Sequence, residues 1–183
     1  MNSETETKGK RATTLVLGVG NLLLSDEGAG LRVVEQLVTT HDLPEDVMAL
    51  DGGTLGLDLL HYLEGVDNLL IVDAVEMGED PGMLIRMEGD EIPSFLSVKM
   101  SPHQVGIPDM LFAAKLRDLY PRNVVLWGVQ PGSLKIGLDL SPPVADQVPV
   151  LVDHLLGELA RWGYHLEPRS NENETSHAAN SSR

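Results

Sequence analysis

Residues 14–38 read TLVLGVGNLLLSDEGAGLRVVEQLV. The first six, Thr14 to Val19, are largely β-branched or aliphatic and stop at a glycine, the pattern of a strand buried on both faces. Farther on, Val33, Val34, Leu37 and Val38 recur at helical spacing. A buried strand leading into an amphipathic helix is the opening of a βαβ arrangement, so a parallel sheet is expected.

Working outward from that stretch, the strand pattern returns at Val47 to Leu50, Leu69 to Val75 and Val124 to Val129, each flanked by Gly, Asp or Pro. Between the second and third runs Leu55, Leu59, Tyr62 and Leu63 predict another helix. A fifth run, Met83 to Met87, follows the third after only MGEDPG, too short for a parallel crossover of about a dozen residues, so this strand is expected to be antiparallel. The last pattern, Val144, Val148, Leu151, Val152, Leu155, Leu159 and Trp162, predicts a helix with Ser141 as N-cap, Pro142 in the first turn and a kink at Pro149. A further helix is expected to start near Pro108. The fold class is α/β: a three-layer α/β/α sandwich around one mixed, mostly parallel five-stranded sheet with one antiparallel strand.

The chain has 183 residues, 42% of them hydrophobic, enough for one sizeable core. Residues 13–167 are read as a single domain, 1–12 as a polar N-terminal extension and 168–183 as a disordered tail, because SNENETSHAANSSR has no apolar residue larger than alanine. There is no cysteine, which removes disulfides, thiolate metal sites and a cysteine nucleophile together. The N-terminus lacks the apolar stretch of a signal peptide, and no apolar run approaches a membrane span, so a cytoplasmic location is expected. A formal net charge of -15 disfavours nucleic acid and anionic membrane surfaces as partners.

In parallel α/β sheets ligands gather beyond the carboxyl ends of the strands, so the residues just after each run carry the chemistry. A dinucleotide site fails on spacing. The pattern G-x-G-x-x-G needs a glycine where this chain has Leu23, and G-x-x-x-x-G-K-[ST] is absent, so no nucleotide is expected. The G-x-S-x-G elbow and the H-E-x-x-H helix are absent too. Hydrolysis would run through a metal-bound or carboxylate-activated water.

Four residues at that edge stand out, each with an ordinary explanation beside the chemical one. Glu27 falls in the first turn of a helix, where the dipole favours an acid. Asp51, before Gly-Gly-Thr, can organise a turn by accepting a backbone hydrogen bond from two residues on. Asp73 directly follows Leu-Leu-Ile-Val, where a buried charge is costly unless paired or bound to a cation. His103 lies in Ser101-Pro102-His103-Gln104, which reads as a capping box; a helix N-terminus keeps imidazole neutral, the form that binds metal. Two carboxylates and an imidazole on one edge suit a borderline divalent metal with open positions. The remaining histidines, His41, His61, His154, His165 and His177, are assigned no role.

The blocks LVLGVGNLLLSDEGAGLRVVEQL, LDGGTLGLDLL, LLIVDAVEMGEDPG, SPHQVGIPDML, LWGVQPGSL and LSPPV, taken in order, closely resemble the hydrogenase maturation protease family, the endopeptidases of [NiFe] hydrogenase assembly, over roughly Thr13 to Trp162. The resemblance implies a mixed five-stranded sheet between helices and a metal site made of Glu27, Asp73 and His103. Asp51 matches the aspartate of the family's DGGT block, which lies near the site and affects cleavage, and is carried over as the catalytic residue. The implied activity is nickel-dependent removal of a C-terminal peptide from the hydrogenase large-subunit precursor after nickel insertion. The nickel is implied to belong to the substrate's metal centre, and Glu27, Asp73 and His103 to sense it. Whether that metal polarises the scissile carbonyl or Asp51 activates water, in the manner of an aspartyl protease, stays open. A monomer is expected. The alternative is a non-enzymatic nickel-binding assembly factor.

Overall fold

The computed structural model describes residues 12–94 and 106–169. Five strands form one sheet: β1 (Thr14–Val19), β2 (Val47–Gly53), β3 (Asn68–Ala74), β4 (Leu84–Glu88) and β5 (Asn123–Val129), in the order β2-β1-β3-β5-β4. All neighbours are parallel except β4, which runs antiparallel to β5 from Leu84 opposite Val129 to Glu88 opposite Val125. The expected reversal after the short Gly/Pro turn is therefore present.

Alternating side chains send two apolar layers to opposite faces. On one face Leu15, Leu17, Leu69, Ile71 and Leu126 pack under a 3-10 segment (Gly56–Leu63) and α2 (Ile107–Leu116). On the other, Val16, Leu70, Val72, Val125 and Val129 meet α1 (Ala29–Thr40), α3 (Pro142–Ala145) and α4 (Gln147–Arg161). β1 is buried at every residue and β3 at all but its first, as strands covered on both faces must be. The edge strand β4 is only half-buried and carries Arg86 and Glu88, charges that blunt an open edge.

Two helices depart from their sequence pattern. Leu59 and Leu63 are buried as the i, i+4 spacing requires, yet the segment between β2 and β3 is 3-10, not α. This short segment helps return the chain along the length of the sheet, and a 3-10 helix rises about 2.0 Å per residue against about 1.5 Å in an α-helix. The C-terminal helix is broken at Asp146 instead of kinked at Pro149. Pro149 cannot donate to the carbonyl of Ala145 and its ring would strike that carbonyl. The helix therefore stops at Ala145 and restarts at Gln147, placing Pro149 in a first turn where no donor is needed.

Beyond α4 the chain stays attached to the domain. Pro168 bridges His41, the Arg169 N–H donates to the carbonyl of Thr40 at 2.8 Å, and its guanidinium pairs with Asp42 at 2.9 Å. Pro168 and Arg169, the first residues of the tail expected at 168–183, thus pack on the domain; its remainder, 170–183, and the N-terminal extension through residue 11 lie outside the described residues. Among the described residues no helix is long and apolar enough to cross a membrane.

Candidate active site

The site is built where β1 and β3 end. Past Val19 the chain must turn sharply over the sheet edge, and Gly20 does this with φ +135° and its N–H bonded to the Gly53 carbonyl at 3.0 Å. A Cβ at Gly20 would lie 1.7 Å from the carbonyl oxygen of Glu27. No side chain fits there, and that close approach brings the 3-10 turn Ser25–Gly28 down onto the strand ends. At the start of α1 a Cβ at Gly30 would lie 2.2 Å from the Val72 carbonyl and 2.5 Å from that of Val19. The two glycines thus let the helix start sit directly on β1 and β3.

The consequence is that Glu27, 3% exposed, and Asp73, 1% exposed, share one buried neighbourhood. Asp73 closes β3 beside Ala74 and lies opposite Gly128 of β5. Its carboxyl is pushed up to about 8. Burial is the main cause, a hydrogen bond from the Ala74 backbone opposes it, and the nearby charge of Glu27 adds to it. Burial and the neighbouring acid together thus oppose ionisation of Asp73.

Asp51 lies elsewhere on the same edge. It ends the regular part of β2, opposite Gly18, while Gly18 also faces Val72 on β3. Asp51 and Asp73 thus flank the end of β1, their strands two sheet spacings or roughly 10 Å apart. Asp51 is exposed, and its Oδ1 accepts the Gly53 N–H at 2.9 Å, the turn-forming bond its Asp-Gly-Gly context predicts. His103, with the rest of the expected capping box, lies outside the described residues. Among the described residues no three histidine or acidic side chains form a metal-binding group.

Two residues that the sequence reading passed over hold this edge together. Asp26 is wholly buried beside Glu27. Its carboxylate accepts the N–H groups of Gly132 and Ser133, both at 2.8 Å, and both the N–H and the hydroxyl of Ser141, at 2.6 and 2.7 Å. Ser141 occupies its expected N-cap position, but its hydroxyl serves Asp26 and makes no cap bond. Gln130, buried just past β5, accepts the N–H groups of Met77 and Glu79 and donates to the Glu76 carboxylate at 2.7 Å. It pins the loop that follows Asp73. The available signal was position: Gln130 directly follows an apolar run, and Asp26 adjoins a suspected ligand.

A family model for hydrogenase maturation protease (HycI) matches residues 31–158. The chain belongs to the hydrogenase maturation protease family. It is a peptidase. The hydrogenase expression/formation protein HupD of Bradyrhizobium diazoefficiens is 44% identical over 158 residues, 85% of this chain and 82% of that one. The hydrogenase 2 maturation protease of Escherichia coli is 38% identical over 156 residues, covering 85% and 95%. The solved structure of the hydrogenase maturating endopeptidase HybD from Escherichia coli superposes with a TM-score of 0.82 at 38% identity, over 85% of this chain and 97% of that one. The family match spans Asp51, Asp73 and Gln130 and begins just after the turn that carries Asp26 and Glu27.

Proposed function

We propose that this peptidase removes the C-terminal peptide of a [NiFe] hydrogenase large-subunit precursor after nickel has been inserted, and that Glu27, Asp73 and His103 recognise the substrate's nickel. The observation that carries the reading is the placement of Glu27 and Asp73 together, both buried at the carboxyl end of the sheet. Carboxylate oxygens held close together at a strand end are a donor set that a divalent cation delivered by the substrate can engage. A metal-loaded precursor is then bound more tightly than an empty one, which makes binding a test of metal loading.

Binding the metal fixes the following segment of precursor against the sheet edge, and positioning of this kind is a large part of peptidase catalysis. Water attacks the scissile carbonyl, its proton passes to a base, and the leaving amine takes a proton as the C–N bond breaks. In this reading Asp51, solvent-exposed and across β1 from Asp73, acts on that water, and its bond from Gly53 holds its orientation. The reaction calls for no nucleotide. In this reading the protease works as a monomer in the cytoplasm, with no nucleic acid or membrane as partner. The relatives named as hydrogenase 2 maturation protease and hydrogenase maturating endopeptidase lend it support.

The test is to incubate the protein with nickel-loaded and with nickel-free precursor and follow the large subunit by mass. Loss of a C-terminal peptide from the loaded form alone is expected. Equal cleavage of both forms would remove nickel recognition, and no cleavage of either would sink the proposed substrate.

A further inference from the structure

The loop between β5 and α3 is pinned along its length yet presents apolar side chains to water. Asp26 holds Gly132, Ser133 and Ser141 at its two ends. In the middle, the Ser25 N–H donates to the Gly137 carbonyl at 2.8 Å, the Gly137 N–H donates to the Leu23 carbonyl at 3.0 Å, and the Ser25 hydroxyl donates to the Asp139 carbonyl at 2.7 Å. With its backbone so tied, Ile136 is nonetheless 92% exposed, and Leu134, Leu138 and Leu23 stand exposed around it. Backbone order without side-chain burial is what a preformed contact surface looks like, since little entropy is left to lose on binding.

We propose that residues 134–138, with Leu23, form a docking finger for the hydrogenase large-subunit precursor, one that sets the precursor's register against Glu27; this rests on the substrate proposed above. The loop is bound to the same short turn, Ser25–Gly28, that carries Glu27, so a partner seated on the finger is placed relative to the site through hydrogen bonds alone. Leu138 also forms one wall of a groove of about 620 Å³ whose other wall is Arg32, Gln36 and Thr39 of α1. Apolar finger and polar wall together suit an amphipathic segment of a folded protein.

Area and charge argue against a second copy of this chain as the occupant. Four aliphatic side chains offer roughly the few hundred Å² of the largest patch on an ordinary monomer, well short of the ~800 Å² per partner of a free-standing interface. Two chains of net charge -15 also repel each other across so small a contact. The finger therefore works as part of a wider interface that includes the site, with a partner less acidic than itself.

The experiment is steady-state processing of nickel-loaded precursor by the full-length protein and by two variants, the double change Ile136→Ser with Leu138→Ser, and Ile136→Asp alone. These side chains are exposed, so melting temperatures are expected to match the wild type. KM is expected to rise roughly tenfold or more, as loss of an apolar anchor does, with kcat within about twofold. Unchanged KM in both variants, while the wild type processes normally, would overturn the finger and leave the substrate assignment standing. A wild type that sediments as a dimer and variants that sediment as monomers, with KM unmoved, would assign the patch to self-association and overturn it as well. Failure of the wild type itself to process the precursor would instead count against the substrate.

Discussion

Asp73 and Glu158 are both almost completely buried, at 1% and 2% exposure, and they are held in opposite ways. Glu158, on α4, reaches over β4 and β5 to take hydrogen bonds from Arg86 at 2.6 Å and from Arg161 at 2.8 Å, with the Trp127 indole N–H at 3.4 Å. Burial pushes its carboxyl up, but the two guanidinium groups more than reverse this, and it stays below the usual carboxylate range. Asp73 is pushed up to about 8 by burial and further by the acid beside it. Burial therefore does not by itself set how a carboxyl ionises; neighbouring charge can deepen the shift or reverse it. Asp26 shows a third solution, a buried carboxylate satisfied by the backbone N–H groups and hydroxyl of a loop it anchors.

The comparison breaks most visibly in activity. Asp73→Asn and Glu27→Gln are expected to lower processing of nickel-loaded precursor by roughly a hundredfold or more, the scale of a lost positioning contact, while the far-ultraviolet circular dichroism stays that of the wild type. Glu158→Gln is expected to leave processing within about twofold. If Glu158→Gln proved as damaging as Asp73→Asn in folded protein, the distinction between the two acids would fail.

Stability should rank the acids the other way. Asp26→Ala removes the acceptor for several part-buried backbone donors and is expected to cost about 2–3 kcal/mol in urea unfolding. Glu158→Gln is expected to cost about 2 kcal/mol, less than a fully buried pair, because Arg86 and Arg161 are partly exposed to solvent. Asp73→Asn is expected to cost nothing at neutral pH and to leave the folded protein more stable than the wild type there.

The sharpest test lies in pH dependence. In the unfolded chain Asp73 ionises near 3.8, and in the folded protein only near 8. The fold therefore binds one more proton between those values, so this carboxyl's contribution to stability is fully present below about pH 4 and falls as pH rises toward 8. The melting temperature of Asp73→Asn should accordingly gain on the wild type from pH 5 to pH 8 and then hold level. For Glu158, whose carboxyl is lowered, the contribution is present above the ordinary carboxylate range and lost as pH falls through it. Melting curves of the two variants against pH should bend in opposite directions, and parallel curves would contradict the assignment.

Much of this was legible from the chain. Runs of β-branched residues bounded by Gly and Asp mark strands wherever both faces are covered, which is why β1 came out with its own boundaries and the antiparallel β4 followed from a turn too short to cross the sheet. The rule that ligands gather at strand ends singled out Asp73 from its position alone. Glu27 was harder, because an acid at a helix start already has an adequate local explanation. Only the close approach at Gly20 and Gly30 shows why it is buried against β3. Asp51 makes the bond to the N–H two residues on that its Asp-Gly-Gly context predicts.

By itself, then, the sequence determined which segments are strands, which side of each helix is apolar, and which residue types stand at the sheet's carboxyl edge, because these follow from periodicity and from bonds within a few residues. Tertiary structure alone decided that the segment after β2 is 3-10, that α3 and α4 are separate, that Asp26 clamps a loop more than a hundred residues away, and that the Asp73 carboxyl is pushed up while that of Glu158 is lowered. Each of these depends on partners distant in sequence, on the length a connection must span or on the charge that neighbouring elements bring, and no local pattern records such distances.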